Sequence, residues 1–362
     1  MKIFYDNIVF SLQKAGGISI YWSELVHRFK GNENISFSEY ENTNIFRNFL
    51  DIKTKQELFC IKKIARYLPF TKKLSAKSIF HSSYYRVSLQ KNVANITTVH
   101  DFTYEYFWNG IARFIHSMQK GFAINRSDGV ICVSENTKKD LIKFYPSIDK
   151  SKIIVIYNGV GNEYFKLERE SVFLTGRLTI LNNKKYILFV GDRSAYKNFN
   201  IVLDVLSCLI DFQLVVIGGK GFNSFEKEKI KKLKLDVTHF QGVSGEELNI
   251  IYNNAFCLLY PSAYEGFGIP ITEAMKSGCP VISTNYSSIP EVAGDAALLI
   301  DEVTADNIVT EVRKLEDPVF RDLLIEKGFK QVENFSWDRC FSQTYSFYES
   351  VWNKKFKALK DC

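Results

Sequence analysis

Short apolar, β-branched runs alternate with longer amphipathic stretches along the whole chain, and this alternation limits the fold more than any other feature. "SIFHSS", "NITTVHD", "GVICVS" and "IIVIYNG" occur in the first half, then "YILFVGD", "FQLVVIGG", "VTHFQG", "FCLLYPS" and "PVIST". Such runs are strand-sized, and parallel strands buried on both faces need helical crossovers between them. The chain is therefore α/β, with doubly wound parallel sheets. At 362 residues it has room for two such domains, each with its own core. The apolar pattern lapses between Gly161 and Lys185, which marks the junction. We expect a first domain over residues 1–170, a second over 171–335, and a helical segment over 336–362 in which Phe341, Tyr345, Tyr348, Trp352 and Phe356 share one stripe.

Charge and cysteine usage narrow the class. No apolar run approaches the ~20 residues of a membrane span, and the opening "MKIFYDNIVFSLQKAGG" does not read as a signal peptide. The seven cysteines are scattered and never spaced as C-x-x-C, against both a disulfide framework and a zinc site. A reducing cytoplasm is the expected location. The net charge of +7 is uneven: from Leu58 to His100 there is no Asp or Glu, while Lys62, Lys63, Arg66, Lys72, Lys73, Lys77, Arg86 and Lys91 are basic. Leu58, Ile61, Ala65 and Leu68 recur there at helical spacing, so the segment is expected either to pack as a core helix with a solvated basic face or to touch an anionic membrane peripherally. No nucleic-acid motif accompanies the charge, and nucleic acid is not an expected partner.

Chemistry belongs in the loops beyond the strands' carboxyl ends. After "YILFV" comes "GDRSAYKNF", where Gly191 permits a sharp turn and Arg193 and Lys197 supply two cations suited to a diphosphate. Gly218 and Gly219 offer backbone approach after the next strand. In "YPSAYEGFGIPITEAM", Gly266 and Gly268 precede a helix opened by Pro270 and ended by Gly278, and exposed N–H groups at such a start hold anions. Glu265 and Glu273 flank that anion site. Carboxylates repel phosphate but accept hydroxyls, so the pattern fits a diphosphate held between polyhydroxy rings. Taken singly, Glu265 reads equally as a helix cap and Glu273 as an ordinary helical acid.

Together, "YEGFGIPITEAM" and "SGCPVISTNYSSIPEVAGDAA" resemble the donor-site signature of the family 4 retaining glycosyltransferases, and "GGISIYWSEL", "TTVHDF", "VSENTKKDL", "VIYNGV", "FVGDRSAYKNF" and "QGVSGEEL" follow the family's order. The resemblance implies the GT-B fold, two Rossmann-like domains facing a central cleft with the C-terminal helix packing back across both. It implies a nucleotide-sugar donor, GDP-mannose on the likeness to mannosyltransferases or else a UDP-sugar, and a saccharide or lipid-linked saccharide acceptor in O-antigen or capsule assembly. Arg193 and Lys197 are implied to neutralise the diphosphate and Glu273 to hold the ribose. Glu265 is implied to face the donor sugar, with Gly266, Phe267, Gly268 and Ile269 alongside. The resemblance likewise implies that His100 lines the reaction centre and that the Gly16–Gly17 loop approaches the donor phosphate and acceptor. Here the arginine stands two residues after Gly191, where the family more often has it directly after the glycine, and Asp101 adjoins His100 as either a substrate contact or a cap for "FTYEYF". No cofactor or metal is expected, since no D-x-D pair occurs. A nucleotide-sugar 2-epimerase of the same architecture and a non-catalytic sugar-binding protein are the readings from other classes.

Overall fold

The computed structural model describes residues 1–56, 62–168, 176–182 and 184–357. The chain divides into two compact units, Met1–Gly159 with Trp337–Cys362, and Val160–Ser336. Among the described residues the first unit is built on a seven-stranded parallel sheet: β1 (Lys2–Asp6), β2 (Ile35–Glu39), β3 (Thr54–Gln56), β4 (Ser78–Ser82), β5 (Val93–Val99), β6 (Gly129–Cys132) and β7 (Ile153–Val155), in the order β3-β2-β1-β4-β5-β6-β7. The second carries six: β8 (Tyr186–Val190), β9 (Gln213–Ile217), β10 (Val237–Phe240), β11 (Cys257–Tyr260), β12 (Val281–Thr284) and β13 (Leu298–Ile300), ordered β10-β9-β8-β11-β12-β13. Every pairing is parallel, and the central strands β4, β5, β6, β8, β9, β11 and β12 are buried along their whole length. Burial on both faces is why β8, β9 and β11 read as almost unbroken apolar runs.

The order reverses between β1 and β4 in one sheet and between β8 and β11 in the other, which leaves an open edge of loops beyond each reversal. In the first unit that region is tied by buried polar bonds. Asp6 accepts from Ser82 Oγ (2.9 Å) and from the buried guanidinium of Arg86 (2.8 Å), and Trp22 Nε1 donates to Asn7 (2.7 Å).

The helix Trp337–Phe356 packs on β4, β5 and the helix Gly17–Arg28. Of the expected stripe, Tyr348 and Phe356 are buried and Phe341, Tyr345 and Trp352 half-buried, with Trp337, Cys340 and Val351 completing the seam. Tyr348 reaches the hydroxyl of Tyr5 (2.7 Å) and Nδ1 of His81 (2.5 Å), so the last helix closes on the first strand.

The basic segment after position 58 falls only partly within the described residues. Leu58 and Ile61 lie outside the described residues, the helix is described over Lys62–Ala65, and Ala65 is buried with Ile8 and Tyr40 while Leu68 is exposed. These positions therefore do not form one amphipathic face among the described residues. Arg86 adds no surface charge either, because it is consumed by Asp6.

Candidate active site

The loops leaving β8 and β11 are stitched together beyond the reversal of the second sheet. Asn198, in the left-handed region (φ 55°), donates from Nδ2 to the Pro261 carbonyl (2.8 Å), and the Ala263 N–H donates to the Tyr196 carbonyl (2.7 Å). Between these ties Lys197 is buried, its Nζ 3.1 Å from the Tyr260 hydroxyl and ion-paired with Glu265. Burial alone lowers an ammonium pKa, but Glu265, aided by Tyr196 and Asp192, outweighs it and holds Lys197 above its ordinary value. Lys197 is thus positively charged at any physiological pH. An ammonium has three donors, and Tyr260 and Glu265 take two.

Glu265 is set by its backbone. Its N–H donates to Ser287 Oγ (2.8 Å), and Ser288 Oγ lies 2.9 Å from its carbonyl and 3.0 Å from that of Phe267. Phe267 is buried edge-on to Phe335, ring centroids 5.4 Å apart. Gly268 then caps the helix Ile269–Lys276 with φ 98°, a conformation that favours glycine, and Pro270 occupies the first turn. The helix closes at Gly278 (φ 73°), whose N–H donates to Met275, while the Cys279 N–H donates to Ala274 (2.8 Å). Both ends of this helix are thereby fixed, and the positive end of its dipole lies beside Glu265.

Glu273, in the middle of that helix, is buried and accepts from the Tyr252 hydroxyl (3.0 Å). Burial drives its pKa up to about 7, opposed by hydrogen bonds from Tyr252 and Tyr164 that favour the ionised form. Additional hydroxyl donors, such as those of a ribose, act in the same direction as the tyrosines.

Arg193 has a different setting. Its Nε donates to Glu226 (3.0 Å), both side chains are almost fully enclosed, and the guanidinium lies over Phe222 (4.7 Å) and Phe199 (5.4 Å). Glu226 also forms the capping box of the helix Ser224–Lys232 with Asn223. A Cβ on Gly219 would stand 2.9 Å from Arg193 Nη1, so the Gly218–Gly219 turn leaves room for this guanidinium. The structure joins Arg193 to the Glu226 helix start and Lys197 to Glu265, at two separate anchor points.

The comparisons with known proteins bear on both units. Residues 174–331 match the family model described as Glycosyl transferases group 1, and residues 59–163 match Glycosyltransferase Family 4. The chain belongs to the family 4 glycosyltransferases. Among its relatives are O-antigen chain mannosyltransferase B of Escherichia coli, 26% identical with 70% of each chain covered. O-antigen chain mannosyltransferase RfbU of Salmonella typhimurium is 29% identical with 69% of each covered. Sucrose-phosphate synthase from Thermosynechococcus elongatus shares the fold at TM-score 0.75 and 17% identity, over 98% of this chain and 100% of that one. Anabaena HepE in complex with UDP and glucose does so at TM-score 0.75 and 15% identity, over 97% and 100%. The fold is GT-B.

In this glycosyltransferase the other residues singled out in the sequence, His100, Asp101 and Gly16, lie in the first unit. His100 follows β5, meets Tyr21 edge-on (5.0 Å) and is held neutral, its pKa lowered by burial to about 4. Asp101 accepts from the Thr103 N–H (3.1 Å), which ties it to the start of the helix Thr103–Phe107. The Asp101 carbonyl accepts from Lys120 Nζ (2.9 Å), a fully buried ammonium that also binds Glu105 (2.8 Å). Gly16 caps the helix Gly17–Arg28, and a Cβ on it would stand 2.3 Å from Gln13 Oε1. Sequence reasoning missed Tyr260, Tyr252, Ser287, Ser288 and the Lys120–Glu105 pair. Tyr260 stood in plain view at the end of the apolar run of β11, and Ser287 and Ser288 stood within the quoted "SGCPVISTNYSSIPEVAGDAA", but the others are linked to the site only through the fold.

Proposed function

We propose that this glycosyltransferase transfers mannose from GDP-mannose to a lipid-linked or oligosaccharide acceptor in O-antigen or capsule assembly. One observation carries the donor reading: a buried Lys197 paired with Glu265 at the start of a helix that buries Glu273 one turn further in. The third ammonium donor of Lys197 and the positive end of the helix Ile269–Lys276 receive the diphosphate charge. Glu273 accepts the ribose hydroxyls, and Glu265 accepts from the transferred sugar. The bond from the anomeric carbon to the phosphate oxygen breaks, the nucleoside diphosphate leaves with its electron pair, and the acceptor oxygen bonds the anomeric carbon on the same face. Its proton passes to the departing phosphate oxygen, so configuration is retained without a protein nucleophile. Lys197 and the helix start supply the positive charge this step needs, so the reading requires no metal ion. The mannose and O-antigen assignments draw on the relatives' printed functions.

The test is product analysis. The protein is incubated with GDP-mannose, UDP-glucose or UDP-N-acetylglucosamine and a lipid-linked saccharide extract, with EDTA present. Mannolipid formed from GDP-mannose alone, α-linked by NMR, supports the proposal. Sugar conversion without acceptor, or turnover of a UDP-sugar alone, overturns it.

A further inference from the structure

The helix Gly110–Arg126 of the first unit is inside out. Its buried face carries His116 and Lys120, the latter paired with Glu105, together with Gly121, Ala123 and Ile124. Its outward face carries Ile111, Phe114, Ile115, Met118 and Phe122, and the first two and Met118 are 77%, 67% and 59% exposed. At 100° per residue these five positions fall within an arc of roughly 100°, the width of the stripe that a helix ordinarily turns to a core. Trp108, half exposed, stands just before the helix and stacks on Tyr104. Scattered surface apolar residues need no explanation, but a continuous stripe does.

A second apolar segment lies alongside. Gln119 donates to the Tyr85 carbonyl (3.3 Å) and to the Arg66 carbonyl, which holds Ile64, Tyr67 and Leu68, all exposed, next to the helix. The exposed charge on the helix and in the segment tied to it is basic. Between Glu105 and Asp128 the sequence has no acid, and those two are neutralised by Lys120 and Lys355. Arg113 and Arg126 lie on the helix, and Lys72, Lys73 and Lys77 are exposed in the neighbouring acid-free segment. A second copy of this chain would set like charges against each other, whereas an anionic bilayer complements them.

We propose that the first unit docks on an anionic membrane through this helix, its Ile111–Phe122 stripe lying in the interface and its basic neighbours on lipid headgroups. Docking puts the protein on the surface where a lipid-linked acceptor resides, and in this it rests on the acceptor reading above. The proposed surface thus includes a helix that the sequence expectation did not name; membrane contact was there one of two readings of the segment after position 58.

The test is flotation of the full chain with vesicles of phosphatidylcholine alone or of equal parts phosphatidylcholine and phosphatidylglycerol. The native protein is expected to float with the anionic vesicles at low salt and to be released as salt rises. Phe114→Gln with Met118→Gln is expected to lower the bound fraction at least about tenfold, with unchanged melting temperature and unchanged nucleotide-induced stabilisation. Ile111→Gln with Phe122→Gln checks the same loss at the ends of the stripe should the first pair fail to fold. Absence of flotation, or flotation of both variants like the native protein, overturns docking. So does self-association that disappears in the variants without vesicle binding, which would assign the stripe to a second copy. Because nucleotide stabilisation is read without vesicles, a failed donor site and a failed docking surface give different results.

Discussion

A buried ammonium beside a carboxylate is the centre of the proposed donor site, and the two cations expected there, Lys197 and Arg193, separate by what they touch. Lys197→Ala removes a charge-assisted contact to phosphate worth about 1.5–3 kcal/mol, so the dissociation constant for a nucleoside diphosphate, read by calorimetry, is expected to rise about 10- to 100-fold. Arg193→Ala is expected to act on stability, because it leaves Glu226 buried without its partner at a cost of about 3–5 kcal/mol. Chemical denaturation measures that loss, and the double variant with Glu226→Gln should recover a large part of it. Glu273 makes the prediction with the sharpest sign. Its carboxyl ionises near 4.5 when unfolded and near 7 in the native protein, so the folded state holds the extra proton and its contribution to stability is complete below 4.5 and lost as pH rises to 7. Glu273→Gln, which stays neutral like the protonated carboxyl, should abolish that pH dependence, about 3 kcal/mol between pH 4.5 and pH 7. Hydroxyl donors favour its ionised form, so donor affinity should strengthen as pH rises through 7 in the native protein and lose that dependence in the variant. The residues themselves were legible in the chain but their pairing was not: Lys197 and Glu265 are 68 positions apart, and only the reversal between β8 and β11 brings them together.

The helix Ile269–Lys276 shows how much of an element a sequence can announce. Pro270 at its start and Gly278 past its end are local signals, and both stand where the backbone needs them. Gly268→Ala forces a side chain into φ 98°, with its Cβ 3.2 Å from Ile271 Cδ1. We expect about 1–3 kcal/mol of destabilisation in thermal unfolding and a parallel loss of nucleotide binding, because the same turn orients the helix start. Strands were legible in proportion to their burial. "YILFV" and "FCLLY" are unbroken apolar runs, whereas β3, "TKQ", is a polar edge strand with no pattern to find, and β1, "KIFYD", is short and charged at both ends. The helix Gly110–Arg126 inverts the usual pattern: its apolar positions have the helical spacing of a core face, yet the structure turns them outward.

Taken over the complete chain, the two units respond differently to acid. His81 and His116 are enclosed in the first unit, and burial lowers both pKa values to about 3, with His100 held near 4. A histidine with a depressed native pKa contributes stability above its unfolded value of 6.5 and loses it as pH falls toward the native value. The first unit should therefore unfold as pH drops below about 6, ahead of the second, whose buried Glu273 gains stability over the same interval. Hydrogen exchange followed by mass spectrometry at stepwise lower pH resolves the two units and checks the order. The central claim, a donor site carried by Lys197, Glu265 and Glu273, is tested most directly by calorimetric titration of the native protein with GDP-mannose, GDP and UDP in the presence of EDTA, repeated on Lys197→Ala and Glu273→Gln. Selective binding of the guanine nucleotides, weakened at least about tenfold in both variants, is the predicted result; no binding of any nucleotide, or binding that both variants retain in full, would contradict it.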